Sequence, residues 1–338
     1  MLLLSIAIIF YRIIEVVSLI ELLDNNLMKK RKIIIDCDPG HDDAVAIMMA
    51  ASNPNLELLA LTVEAGNQTL AKTGRNALNM VQYLGLNIPV ALGVDHPLKR
   101  ESQTCAEIHG ESGLDGFTFP PLKIDFDKRD AVTLLKDLLL ENDKVTLVPT
   151  GPLTNIAILL RDHPEVKSHI EEIVLMGGSI GYGNVSPAAE FNILCDPEAA
   201  EIVFESGLTV KMMGLDVTRR VLLYPEILER MNKIGNKVSD LFYTLMLTFN
   251  KNQKKIFGHE GAPLHDPATI VYLIDPSVIK LQFMNVEIDV SGGPSYGRTN
   301  CDQFNYLHRK PNAFVAVDID VDKYWDAIEK GLKAFSNE

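Results

Sequence analysis

A run of β-branched apolar residues, Ile33-Ile34-Ile35, breaks directly into Asp36-Cys37-Asp38-Pro39-Gly40-His41-Asp42-Asp43 and then into the apolar stretch Ala44-Val45-Ala46-Ile47-Met48-Met49. The first run reads as a buried strand and the last as a helix. Pro39 biases Asp38 toward extended backbone, and Gly40 allows a tight turn before the helix. A strand, a turn and a helix in that order open an α/β sheet, and in open α/β sheets ligands bind at the carboxyl ends of the strands. Four carboxylates crowd that point. Two unit charges about 5 Å apart repel by roughly 3 kcal/mol at an effective dielectric near 20, so the group must take up protons or hold a cation. A helix N-terminus favours Asp42 and Asp43, but it does not explain Asp36 and Asp38. Carboxylate oxygens with no Cys or second His at ligand spacing favour a hard cation such as Ca²⁺ or Mg²⁺ over zinc.

The alternation continues along the chain. Leu56 to Val63 reads as a second strand ending in Glu64-Ala65-Gly66-Asn67, and Thr69 to Leu84 as a helix closed by Gly85. Further strands are expected at Ile88 to Leu92, Val145 to Val148, Ile173 to Met176 and Thr209 to Met213, with helices at Asp130 to Glu141, Leu153 to Arg161 and from Asp196-Pro197-Glu198 to about Ser206. This order predicts an open, doubly wound, mostly parallel (Rossmann-like) α/β sheet with helices on both faces. Residues 225 to 257 read as helical with a break around Gly235-Asn236, and Asp322 to Phe335 as a closing helix. Gln282 to Val290 and Phe314 to Ile319 predict a small C-terminal β addition. The segments 93 to 121 and 179 to 192 are long enough to be binding loops.

Composition narrows the function. With 338 residues, 47% hydrophobic, the chain can bury a sizeable core, and a net charge of −13 argues against a nucleic-acid surface. A small-molecule partner is expected, with no membrane partner. Four widely spaced cysteines without a CxxC pair suit a reducing compartment, which predicts a cytoplasmic protein. The apolar residues 1–27 are interrupted by Arg12, Glu15 and Glu21 and lack a cleavage site of the Ala-x-Ala kind. They read as an upstream extension before Met28, the alternative being a weak membrane tether, and residues 28–338 as one domain.

Polar residues recur at successive strand ends: Asn67 after the second, Thr150 after the fourth, Glu190 and Asn192 after the fifth. Together, Asp36-Cys37-Asp38-Pro39-Gly40-His41-Asp42-Asp43, Gly66-Asn67, Ile108-His109-Gly110, Leu147-Val148-Pro149-Thr150-Gly151, Ala189-Glu190-Phe191-Asn192 and His265-Asp266-Pro267 resemble the motifs of the inosine-uridine-preferring nucleoside hydrolases. The resemblance covers essentially everything from residue 31 onward. It implies Ca²⁺-dependent hydrolysis of the N-glycosidic bond of ribonucleosides to ribose and free base, by a homotetramer or sometimes a dimer. It assigns Asp38, Asp43 and Asp266 to the metal through carboxylates and Thr150 through its carbonyl. Asp38 would also take the proton of the attacking water, Asp42 would bond the ribose 2′-hydroxyl, and Asn67, Asn184, Glu190 and Asn192 would hold the sugar, with Asn184 and Glu190 near its 5′ end. Attack opposite the base would invert the anomeric carbon, and His109 and His265 are the candidates for assisting the leaving base. Asp36 fits an orienting role better than a ligand's.

The wording of several motifs resembles bacterial pyrimidine-preferring members, which place a Gln and a Tyr near the base. Gln253 matches the Gln, while Phe257 stands where the Tyr is expected. The purine-specific branch stacks the base between tryptophans, whereas the single Trp325 is expected in the core. Two other readings keep parts of the pattern. A haloacid-dehalogenase-like phosphatase would use Asp36 as nucleophile, but leaves His265-Asp266-Pro267 unexplained. A non-catalytic calcium-dependent nucleoside-binding protein keeps the ligands, and Asp38→Ala separates it from an enzyme.

Overall fold

Every residue from Ile33 to Asp43 is buried, so the first strand lies inside the sheet rather than at an edge. In the computed structural model residues 30–258 and 260–335 are described, and the reading of residues 1–27 as an extension lies outside the described residues. Among the described residues the strands are β1 (Arg31–Cys37), β2 (Leu56–Val63), β3 (Val90–Leu92), β4 (Val145–Pro149), β5 (Ile170–Met176) and β6 (Val210–Met213), then β7 (Leu222–Leu223), β8 (Ala262–Pro263), β9 (Ile279–Ile288), β10 (Thr299–Asp302) and β11 (Ala313–Ile319). Nine of them form one sheet in the order β10-β9-β11-β6-β5-β4-β1-β2-β3. β1 to β6 and β11 pair in parallel, while β9 pairs antiparallel with both β11 and β10. The expected doubly wound sheet with a C-terminal β addition is what the chain forms.

The helices are α1 (His41–Ser52), α2 (Leu70–Leu84), α3 (Ala106–His109), α4 (Ala131–Glu141), α5 (Thr154–Asp162) and α6 (Phe191–Cys195), then α7 (Pro197–Phe204), α8 (Leu215–Thr218), α9 (Pro225–Asn232), α10 (Lys237–Phe257), α11 (Pro267–Ile274) and α12 (Val321–Lys333). Alternate residues of β1 face opposite sides of the sheet. Ile33, Ile35 and Cys37 join a core with α1, α10, α11 and α12, while Ile34 joins a second core with α4, α5 and α7. Caps set several boundaries. Asp130 accepts from the amide of Thr133 at 2.9 Å, Asp196 from that of Ala199 at 3.1 Å, and Gly85, at φ 67°, closes α2.

What the sequence reading missed is short: β10, the β7/β8 ribbon, and the four- or five-residue helices α3, α6 and α8. Elements of that length contain no full period of apolar spacing, so tertiary contacts decide them. Among the described residues, no helix is long and apolar enough to cross a membrane.

The order β3-β2-β1 on one side and β4-β5-β6 on the other makes the β1/β4 boundary the topological switch point. The crevice outside the carboxyl ends there is where such sheets bind ligands. Asp36 of β1 is paired in register with Pro149 of β4, which sets Asp38 and Thr150 side by side just beyond the sheet.

Candidate active site

Asp38 sits where the chain leaves β1, with no exposed surface. Its Oδ2 accepts from the Asn67 amide at 2.6 Å, while its Oδ1 has no partner among the described residues. The carboxylate is wedged between glycines: a Cβ on Gly66 would come within 2.1 Å of Oδ2, and one on Gly151 within 2.8 Å of Oδ1. Asp43, in the first turn of α1, accepts from the Gly40 amide at 2.9 Å, the Asn67 side chain at 3.1 Å and the Thr150 hydroxyl at 2.7 Å. Asp266 stands immediately before α11 and brings a third acid from a distant part of the chain. One oxygen each of Asp42, Asp43 and Asp266 lies within 4.8 Å of the others, so the carboxylates that meet include Asp42, which sequence reasoning gave to the sugar.

Burial raises all of these carboxyls. Asp38 is held well above the usual range by burial and then by the charge of Asp43, and Asp266 by burial and then by Asp42. Asp42 is pushed up to about 7 by burial and then by Asp43. Such a group stays ionised only beside a counter-charge. The donors are all oxygen, one is buried without a partner among the described residues, and three converge, which fits a hard divalent cation.

The rim of the site is held from the neighbouring strand. The Thr150 carbonyl accepts from the Asn192 side-chain amide at 2.9 Å. The Thr150 amide donates to the Asp36 carbonyl at 2.8 Å, which ties the end of β4 to β1. The Asp36 side chain turns away: its Oδ1 accepts from Thr62 at 2.6 Å and from Asn155 at 2.9 Å. It braces the strand and does not line the site.

Above the carboxylates opens a cleft of about 930 Å³, lined by Asp42, Asn67, His109, Thr150, Asn184, Glu190, Asn192, Gln253, Phe257, His265 and Asp266. Asp38 and Asp43 lie buried beneath it. Nearly every residue expected at the site is therefore gathered at one place. The Asn67 side chain is spent on the Asp38 carbonyl (3.2 Å) and on Asp43. Glu190 caps α6, accepting from the amides of Gly178 (2.9 Å), Asn192 (3.0 Å) and Ile193 (3.2 Å). Asn184 accepts from the Phe191 amide at 2.9 Å.

Two histidines also line the cleft. The Nδ1 of His265 meets the Thr218 hydroxyl at 2.7 Å, and burial, then the nearby Arg219 charge, lowers its pKa to about 3. Burial likewise holds His109 well below the usual histidine value. Gln253 and Phe257 project from the last turns of α10, Gln253 buried and Phe257 46% exposed.

Sequence reasoning missed three contributors. His41 packs against His109, and Phe249 stacks on both. Arg219 donates to the carbonyls of Tyr182 (2.9 Å) and Gly183 and lies 4.2 Å from the Tyr182 ring centroid, which pins the loop carrying Asn184. His41 lay inside a quoted motif and could have been singled out there. Nothing in the sequence around Arg219 marks its loop contact.

The family described as inosine-uridine preferring nucleoside hydrolase matches residues 33–326. The pyrimidine-specific ribonucleoside hydrolase of Escherichia coli strain K12 is 48% identical over 309 residues, 91% of this chain and 99% of its own. Among solved structures, a purine-preferring ribonucleoside hydrolase from Gardnerella vaginalis superposes with a TM-score of 0.84 at 33% identity, over 90% of this chain and 98% of that one. A plant nucleoside hydrolase gives the same TM-score, 0.84, at 31% identity, over 90% and 99%.

Proposed function

The chain belongs to the inosine-uridine preferring nucleoside hydrolase family, and from that membership we propose a calcium-dependent hydrolase of the N-glycosidic bond of ribonucleosides, with uridine and cytidine preferred. The observation that carries this reading is the Oδ1 of buried Asp38, without a partner among the described residues, beside converging Asp42, Asp43 and Asp266 at the switch point of the sheet. The preference for pyrimidines is supported by the 48% identity to a pyrimidine-specific enzyme and by Trp325, which is 2% exposed and packed edge-on against Tyr324. The chain's only tryptophan is thus unavailable to stack on a purine.

In this reading Asp38, Asp43, Asp266 and the Thr150 carbonyl would hold calcium. The ion would supply positive charge that acidifies water and draws the vicinal ribose hydroxyls. Asp38 accepts the proton of the attacking water, and Asp42 accepts from the 2′-hydroxyl. Asn67, Asn184, Glu190 and Asn192 shape the ribose site, Asn192 also by fixing the Thr150 carbonyl. The surrounding carboxylates favour the positive charge that develops on the sugar as the C–N bond lengthens. His109 and His265 face the departing base, with Gln253 and Phe257 beside it. Four free thiols accord with a cytoplasmic protein, and the exposed Phe283, Phe304, Tyr306 and Leu307 accord with a homo-oligomer, for which we propose a tetramer.

The test is ribose release from uridine, cytidine, inosine and adenosine, with calcium and after chelation, and with 2′-deoxyuridine as control. Calcium-dependent release, faster from the pyrimidines and absent from the deoxynucleoside, is the expected result. Equal purine turnover rejects the base preference, and no release from any of them rejects the proposal.

A further inference from the structure

His41 opens α1 between Gly40 and the acids of the motif, and no part of it is exposed. Its backbone N–H donates to the Nδ1 of His109 at 3.2 Å. Its own Nε2 lies 2.8 Å from the Asp115 carbonyl, which can only accept, so that nitrogen carries a proton. The three rings of His41, His109 and Phe249 stack, with centroids 5.6 Å apart for the two histidines, 5.2 Å for His41 and Phe249, and 5.5 Å for His109 and Phe249. Gly40 closes the remaining side, where a Cβ would come within 2.5 Å of the His109 Nδ1.

These contacts fix both the plane of the His109 ring and its tautomer. The bare Nδ1 of His41 lies 3.4 Å from this Nδ1, but the His41 amide hydrogen is aimed at it from the nearer backbone nitrogen and takes its lone pair, so the neutral ring carries its proton on Nε2. The ring lines the cleft, and that nitrogen is left to meet what binds there.

We propose that His41 is a positioning residue that holds His109 as a neutral Nε2–H donor to the leaving base. The inference rests on the hydrolase reading given above. As the bond from C1′ to the base nitrogen breaks, its electron pair passes to the base and spreads to the pyrimidine O2. The Nε2–H of His109 hydrogen-bonds that charge and keeps its proton, and the departing base takes one from solvent. A preorganised donor aimed at developing charge acts this way without reorganising during the reaction. The Asp115 carbonyl, bonded to His41, locks the same arrangement to the loop that follows α3.

Two measurements test it. Nitrogen-15 NMR of the wild-type protein, with His109 assigned by its absence in His109→Ala, is expected to give a protonated Nε2 and a bare Nδ1. Steady-state kinetics then compares uridine with p-nitrophenyl riboside, whose leaving group needs no donor. His41→Phe keeps a ring to stack but cannot bond the Asp115 carbonyl, and it is expected to lower kcat for uridine at least about tenfold. The same variant should leave p-nitrophenyl riboside turnover within about threefold, since the sugar side of the site is untouched. His41→Gln, whose amide reaches toward the same carbonyl, is expected to restore most of the uridine rate. A proton on the His109 Nδ1, or a His41→Phe variant that slows both substrates equally or neither, overturns the inference. A wild-type protein that cleaves neither substrate overturns the hydrolase reading instead, and the tautomer measured by NMR still decides what His41 does to His109. If His41→Phe does not fold, His41→Gln carries the kinetic comparison, and a proton on the His109 Nδ1 still overturns the inference.

Discussion

Asn192 carries no charge, yet its side-chain amide donates to the carbonyls of Thr150 and Met176 at 2.9 and 3.1 Å. Replacing it with Ala takes a donor from two buried acceptors, at about 1–3 kcal/mol for a group left unsatisfied. It also frees the Thr150 carbonyl to turn away from the carboxylates. Asn192→Ala is therefore expected to weaken calcium binding by about 10- to 100-fold, as loss of a ligand's supporting hydrogen bond does elsewhere. Titration of activity with calcium reads this directly. Asp38→Asn should behave differently, because it removes the proton acceptor: kcat at saturating calcium is expected to fall by about 10²- to 10⁴-fold. If Asp38→Asn changes only the calcium requirement, Asp38 is a ligand and not the base. The acids of this site were legible in the sequence because four carboxylates in the eight residues from Asp36 to Asp43 have few uses. The bond from Asn192 to a carbonyl 42 residues away was not, because a polar residue's partner leaves no mark on local spacing.

At the scale of the element, α10 illustrates how a cap positions a distant side chain. Asn236 accepts from the amides of Val238 (3.0 Å) and Ser239 (2.8 Å), and its own amide donates to the Leu332 and Phe335 carbonyls at 2.8 and 3.1 Å. One side chain thereby starts the helix that bears Phe249, Gln253 and Phe257 and ties it to the end of α12. Asn236→Ala is expected to lower stability by about 2 kcal/mol, combining a lost cap with lost donors to buried carbonyls. Urea denaturation measures the loss, and kcat for uridine in native buffer should persist because the site lies at the helix's other end. The Gly235-Asn236 break was legible for the reason that makes it stable: Asn competes for the first free amides of a helix. The Asp196-Pro197 start was legible on the same ground. β10 was not, since Thr299–Asp302 is four residues of mixed polarity that become a strand only against β9. Nor was α3, whose four residues set His109 at the cleft. Long elements are written in apolar periodicity, while the short ones that aim side chains are written in contacts made after the sheet has formed.

The carboxylates come from the β1–α1 turn and from the residue before α11, so the site is complete only in the folded chain. An unfolded chain parts Asp266 from the turn that carries Asp38 and Asp43 and has little affinity for a cation at that set. Binding to the native state alone stabilises by RT ln(1 + [L]/Kd), about 2.7 kcal/mol at a hundredfold excess over Kd. With an unfolding entropy near 2.1 cal/mol/K per residue, that corresponds to a rise in Tm of about 4 °C for a chain of this size. Scanning calorimetry at rising calcium, at fixed protein concentration so that any assembly is constant, is expected to show that rise. Chelation should reverse it. Asp266→Asn sharpens the argument because its two effects have opposite signs. Removing one of three converging buried acids relieves repulsion, so the calcium-free variant should unfold at or above the wild-type temperature. Removing a ligand weakens binding, so calcium should raise its Tm far less. A calcium-free variant that is less stable than wild type and still responds fully to calcium would show that Asp266 packs the structure and that the cation sits elsewhere.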